Sequence, residues 1–279
     1  MQVKAIACEL PKESGQDLVR EVARRGLVAK ISGRTLWRWL DEDAIRPWQH
    51  RSWIFPRDPD FQTKAERVLD LYQGLWEGQP LGPGDHVISA DEKTSIQARI
   101  RLHPTLPPQP KETMRVEFEY ERGGALAYLA AWDVQRAKVF GRCEDTTGIE
   151  PFGRLVQQVM EQEPYRSAAR VFWIVDNGSS HRGAAAVKRL QAAYANLHLV
   201  HLPVHASWLN QVEIYFSVIQ RKVLTPNDFA SLQEVAHRLL AFQDLYERTA
   251  EPFEWRFTRA DLQELLSRLS EKSALALAA

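Results

Sequence analysis

The sequence predicts an α/β protein in which a mixed sheet is flanked by helices on both sides and preceded by a small all-α region. Three features carry that reading. The stretches HVISAD at 86–91 and ARVFWIVD at 169–176 are nearly continuous apolar runs, as strands covered on both faces are. Beyond residue 84 such runs first follow one another and then alternate with helical stretches, the pattern of antiparallel strands leading into parallel ones. Before about residue 43 only short helical spacings occur.

At 279 residues the chain has room for one large domain or two unequal ones, with enough length to bury a core unaided. Cys8 and Cys143 are the only cysteines, which excludes a disulfide scaffold and a zinc knuckle and suits a reducing compartment. The start MQVKAIACELPKES lacks a basic region followed by a long apolar stretch, and no stretch reaches about 18 apolar residues, so a soluble cytoplasmic protein with no membrane partner is expected. Charge balances at 36 basic against 36 acidic residues. From Arg20 to Arg57, however, nine basic residues face four acids, the local excess expected of a DNA-binding arm on a more acidic body.

Residues 1–45 read as three short helices: VKAIACEL, then DLVREVARRG stopped by Gly26, then a third opening at the N-cap Ser32. That is the layout of a helix-turn-helix, whose last helix offers Arg34, Thr35 and Arg38 to DNA. A helical bundle with merely solvated arginines fits the same pattern. In 46–84, Pro47, Pro56 and Pro59 favour an extended linker carrying Arg46, His50, Arg51 and Arg57 among aromatics, followed by one helix over 61–78 and a boundary at LGPGD. The remainder, 85–279, is the sheet domain with C-terminal helices. Its expected strands are HVISAD, continuing through EKTSIQARIRL, then MRVEFEYER, ALAYLAAWDV, AKVFGRC, ARVFWIVD and NLHLVHLP, with helices over 152–162, 183–195 and 208–223.

Two aspartates end buried strands here. Asp91 closes Val87–Ala90 and Asp176 closes Val171–Val175, so both are delivered to the carboxyl end of the sheet, where α/β folds bind ligands. In SWLNQVEIYFSVIQRKV, at about 100° per residue, Glu213 lies beside the apolar stripe of Trp208, Leu209, Val212, Tyr215, Phe216 and Ile219. A helix laid on the sheet by that stripe holds Glu213 at the rim, with Asn210 one turn earlier; a solvated flank residue is the plainer alternative. Three clustered carboxylates repel unless a hard cation neutralises them, which points to magnesium and to phosphodiester chemistry.

The strings ADEKTSIQAR at 90–99, VDNGSSHRG at 175–183 and HLPVHASWLNQVE at 201–213 resemble the three acidic motifs of bacterial insertion-sequence DDE transposases of the mariner-like "six-thirty" group. The segment ISGRTLWRWLDEDAIRPWQHRSWIFPRDPDF at 31–61 is similar to the stretch joining their helix-turn-helix region to the catalytic domain. The resemblance implies a ribonuclease-H-like catalytic domain, two magnesium or manganese ions, and cutting and joining of double-stranded DNA at terminal inverted repeats, with target DNA as second substrate. It maps Asp91, Asp176 and Glu213 onto the catalytic, metal-binding triad, and places Glu92, Asn177, His181 and Asn210 in supporting positions. A homodimer in the active state and a nucleoid-associated location are implied as well. Relatives carry two helix-turn-helix units where this chain has room for one, so incomplete end recognition is expected, and a catalytically silent DNA-binding derivative or inhibitor is the alternative.

Other chemistries fit worse. His198, His201 and His205 lie on a strand and turn, where their rings diverge. Ser179 and Ser180 lack a nucleophile elbow, and the glycines form no phosphate-binding loop, so no nucleotide cofactor is expected. Of the nine tryptophans, Trp208 is the one expected near DNA.

Overall fold

The computed structural model describes residues 15–28, 30–42, 56–178, 180–181 and 183–277. The helix expected over VKAIACEL, and Arg46, His50 and Arg51, lie outside the described residues. The chain divides into two compact units, residues 1–55 and 56–279.

In the first unit, α1 (Gly15–Arg24) and α2 (Gly33–Glu42) close on a small core of Leu18, Val22, Leu36 and Leu40. Gly26 ends α1 as the sequence expects. At φ +67° it lets its own N–H reach Ala23 O (3.0 Å) and that of Leu27 reach Val22 O (3.2 Å), a Schellman stop. Ser32 caps α2, its Oγ accepting from Thr35 N at 3.1 Å.

The second unit begins with α3 (Phe61–Tyr72), which stops short of residue 78. Gly74 turns the chain at φ +75°, and β1 (Leu75–Trp76) and β2 (Gln79–Pro80) form a hairpin. Its turn residues Glu77 and Gly78 both have positive φ, the I′ geometry that matches strand twist. Compactness changes at residue 55, not at 84. The buried side of α3 (Phe61, Ala65, Val68, Leu69, Leu71) shares one apolar cluster with Phe172, Ile174 and Leu209 of the sheet domain.

The main sheet contains β3 (Asp85–Ile100), β4 (Glu121–Asp133), β5 (Lys138–Glu144), β6 (Arg170–Val175) and β7 (Leu197–His201), in the order β5-β4-β3-β6-β7. The first three are antiparallel, while β3, β6 and β7 run parallel. On one face lie α3, α6 (Val212–Lys222), α7 (Leu232–Glu247) and Leu262 of α8 (Arg259–Leu277). The other face is covered by α4 (Ile149–Met160) and α5 (Gly183–Ala193), through residues such as Phe152, Val156 and Leu190. The expected strand MRVEFEYER is a correction: regular pairing begins only at Glu121, and residues 102–120 contribute isolated bridges at Leu106–Arg115 and Gln109–Glu112. Val116, Phe118 and Tyr120 alternate with charges, but a strand also needs a partner edge, and Phe118 is 94% exposed. No helix of the described residues is long and apolar enough to cross a membrane.

Candidate active site

Parallel register puts the two aspartates side by side. β3 and β6 pair residue for residue as far as Ser89 and Ile174, and two residues further along each chain stand Asp91 and Asp176. Side chains alternate across a strand, so Asp91 shares a face with Val87 and Ser89, and Asp176 shares it with Phe172 and Ile174. That is the face α6 covers, and Glu213 lies in the first turn of α6.

The start of α6 is fastened to β3 by polar groups within an otherwise apolar layer. The expected helix over 208–223 is broken: a 3-10 turn at Ser207–Leu209 leads into extended Asn210, and α6 begins at Val212. Buried Asn210 donates through Nδ2 to Ala90 O (3.1 Å) and to Asp91 Oδ2 (3.2 Å). Ser89 donates to Asn210 Oδ1 and accepts from Val212 N at 2.9 Å, capping the helix from a different element. From α3, Tyr72 donates to Leu209 O (2.8 Å) and accepts from Gln211 N (3.2 Å).

Asp176 is held from the other side. Its Oδ1 accepts from Gly178 N at 2.7 Å and from Nε2 of the fully buried His181. The chain continues: His181 Nδ1 is hydrogen-bonded to Ser180 Oγ (2.9 Å), which reaches Glu92 Oε1 at 3.3 Å, while His181 O accepts from His201 Nε2 (2.7 Å). Glu92 points to the opposite face from Asp91 yet is tied back to the same loop as Asp176. Asn177 donates to Leu202 O (2.7 Å), fastening the end of β6 to the segment after β7.

These surroundings set different charge states. Burial first, then Asp176, Glu92 and Glu213, push the Asp91 carboxyl up to about 7, against the Glu92 N–H that lowers it. Burial and Asp176 also raise Glu213, against nearby Lys93, and burial with Asp176 raises Glu92. Asp176 alone falls below the usual range, because the His181 hydrogen bond outweighs burial. Among the described residues, no group of three or more His, Cys, Asp or Glu side chains is arranged to hold a metal ion. Like charges repel, and each aspartate is held by N–H donors: Glu92 and Asn210 for Asp91, Gly178 and His181 for Asp176. The donor set nevertheless fits a hard divalent cation, since it consists of carboxylate oxygens whose mutual repulsion such an ion relieves.

The remaining candidates are dispersed. In the first unit Arg34, Thr35 and Arg38 line an open pocket with Ser32 and Trp37, and Arg34 and Arg38 are exposed. Arg57 is exposed at the start of the second unit. Trp208 is half-buried and stacks edge-on against Phe257 at 5.2 Å, so it anchors the segment before α8 rather than standing free at the surface. His198 packs on Phe172 at 5.5 Å, away from the His201 contact. Sequence reasoning missed Ser89, Tyr72 and Ser180. Only Ser89 left a signal, as a hydroxyl at the same parity as Asp91 inside an apolar run.

Residues 86–236 match the family described as DDE superfamily endonuclease. Among solved structures, the chain is similar to the Mos1 mariner paired end complex with Mn, at 15% identity and a TM-score of 0.54 over 96% of this chain and 75% of that one. It is similar to the Mos1 complex with Mg at 14% identity and 0.54, over 98% and 77%. The Mos1 Strand Transfer Complex gives 14% and 0.52, over 96% and 75%. At that identity the likeness is one of fold, and it agrees with the ribonuclease-H-like mixed sheet expected from sequence. Comparison with curated proteins gives no match.

Proposed function

Since this chain belongs to the DDE superfamily of endonucleases, we propose that it is a transposase that cuts and joins DNA at the terminal inverted repeats of an insertion sequence. The observation that supports this most is the β3–β6 register, which brings Asp91 and Asp176 to one edge beneath the helix that carries Glu213. Those three are the acids we assign to the reaction. Magnesium or manganese held by them, two ions in this reading, would supply activation of the attacking oxygen and stabilisation of the leaving one.

The chain's own residues prepare that site. Asn210 orients the Asp91 carboxylate, and His181 with Gly178 fixes one oxygen of Asp176, leaving the other to face the substrate. Ser180 and Glu92 hold His181 in turn, and Asn177 keeps the end of β6 in place. In the first step water attacks the phosphodiester at the element end in line, and the 3′ oxygen leaves and takes a proton. In the second, that 3′ hydroxyl attacks a phosphodiester of target DNA, so one P–O bond forms as another breaks and no nucleotide energy source is needed. Arg34, Thr35 and Arg38 of the first unit, with Arg46, His50, Arg51 and Arg57, are assigned to end recognition, and joining two ends calls for a homodimer.

The test is nicking of an end-bearing duplex in magnesium or manganese. Asp91→Asn, Asp176→Asn and Glu213→Gln should each abolish product while leaving gel-shift affinity intact. Cleavage that persists in Asp176→Asn, or without divalent metal, would falsify the assignment. Binding with no products in either metal would mark the chain as a silent derivative instead.

A further inference from the structure

Past Glu92 the chain lines an open groove of about 1130 Å³. Its lining comes from the far half of β3, from residues 116–120 and from the end of α6 through Asn227. The groove leads away from the carboxylates. Lys93, at its near end, stands two residues along β3 from Asp91, and Gln220 sits seven residues along α6 from Glu213, on the same helix face.

Three basic side chains (Lys93, Arg99, Arg101) against two acidic ones (Glu117, Glu119), with the rings of Phe118 and Tyr120, give it a slight cationic excess and an aromatic wall. The Arg99 guanidinium stands 4.7 Å over the centre of the Tyr120 ring, and Arg101 lies 5.7 Å from it. Arg101 is committed to the wall, donating to Asn227 O at 3.0 Å beside Asp228. Asn227 also accepts from Arg99 N (3.1 Å) and donates to Gln97 O (2.7 Å), which locks strand and turn together and holds Arg99 in its stack. Phe118 opens on the same groove with 94% of its surface in water. Of the acids in the lining, Glu117 already accepts from His103 N at 2.9 Å and binds its ring at 2.8 Å.

A preorganised guanidinium next to a bare phenyl ring is suited to a strand that offers phosphates and base faces together. Paired bases hide their faces, so the free ring selects unpaired ones. We propose that this groove holds the unpaired DNA strand flanking the phosphate to be cut, with Lys93 and Arg99 on its backbone and a base stacked on Phe118. The inference rests on the DNA-cutting reading of the carboxylate site.

The experiment uses the full chain without divalent metal, so that binding is read apart from cleavage, and a short oligodeoxythymidine carrying 5-iodouracil. Irradiation should attach the probe to the peptide containing Phe118 and Tyr120. By fluorescence anisotropy, Phe118→Ala should bind the oligonucleotide about 5- to 100-fold more weakly, the range of one lost base–aromatic stack. Arg99→Ala should lower the slope of log affinity against log salt by about 0.7, one phosphate of a single strand. Phe118 lies on the surface, so its removal leaves the fold intact. Adducts mapping elsewhere, or unchanged affinity in both variants, would overturn the proposal. So would a dimer that Phe118→Ala dissociates while oligonucleotide affinity holds, since the ring would then serve self-association. If the groove binds as described and no DNA is cut in magnesium or manganese, the activity assignment fails alone; if cleavage proceeds and both variants bind normally, the groove fails alone.

Discussion

Asp91 and Asp176 occupy equivalent places at the ends of neighbouring strands, yet one carboxyl is pushed up to about 7 and the other held below its ordinary range. The difference is His181, whose ring sits fully buried against Phe152, 4.8 Å between centres, with Nε2 donating to Asp176. Removing such an outer partner of a metal-binding carboxylate costs about 10- to 100-fold in metal affinity. His181→Ala should therefore weaken Mn²⁺ binding by that factor, read by electron paramagnetic resonance of the DNA-free protein, with DNA affinity unchanged; equal Mn²⁺ affinity would remove His181 from the site. A second residue governs stability. Asp58, with its side chain buried, takes hydrogen bonds from Lys64 Nζ (2.9 Å), Val204 N (2.9 Å) and Asp60 N (3.0 Å). Burial works to raise its pKa, and together these donors bring it below the ordinary value. A lowered native pKa stabilises the fold fully above the unfolded value of about 3.9 and loses that contribution as pH falls through the native one. Asp58→Asn should cost about 1.5–3 kcal/mol at pH 7 by urea denaturation, with the two curves converging below about pH 4. A constant difference down to acid pH would contradict this. The places of Asp91, Asp176 and Glu213 in the fold were legible from sequence because each sits at the end or rim of an apolar run. Ser180 and Tyr72 were not, because a hydroxyl that matters only through a residue far along the chain leaves no periodic trace.

At the level of elements, the paired register of β3 and β6 is what makes two remote aspartates neighbours, and the α6 start is what adds the third acid. Apolar runs revealed the first half of β3 and β6, which are buried on both faces, whereas the edge strand β7 is only partly buried. Helix phase located Glu213 beside the stripe although residues 207–211 are not α-helical, because Asn210 and Val212 are placed by hydrogen bonds to β3 rather than by helix geometry. Alternation misled at 114–120, where pairing is limited to the isolated bridge of Arg115 with Leu106 and a regular strand starts only at Glu121. The Ser89 hydroxyl is the pin of this arrangement. Ser89→Ala leaves Asn210 Oδ1 and the Val212 N–H without that partner in a buried layer, which costs about 1–3 kcal/mol. Because it frees the helix that carries Glu213, cleavage should fall further than DNA affinity does. A stability loss with unchanged cleavage would show that the α6 start does not need this bond.

Over the whole molecule, a formal charge of zero conceals two units of opposite bias: residues 1–55 carry ten basic and seven acidic side chains, the remainder 26 and 29. The first unit has its own small core, a Schellman stop and a side-chain cap, so its second helix presents a defined start. Ser32 Oγ lies 2.8 Å from Thr35 Oγ1, which fixes Thr35 beside the cap, while Arg34 and Arg38 project from successive turns into the pocket they share with Trp37. If this helix meets the DNA backbone, affinity depends on counterion release, and log affinity falls against log salt by about 0.9 for each phosphate neutralised on a duplex. Arg34→Ala and Arg38→Ala in the full chain should each weaken binding to an element end and reduce that slope by about 0.9. The rate of cleavage at saturating DNA should stay the same, because the carboxylates belong to the other unit. Two parallel salt titrations would decide it: a slope identical to that of the unaltered chain would take this helix out of the interface and leave DNA recognition to the second unit.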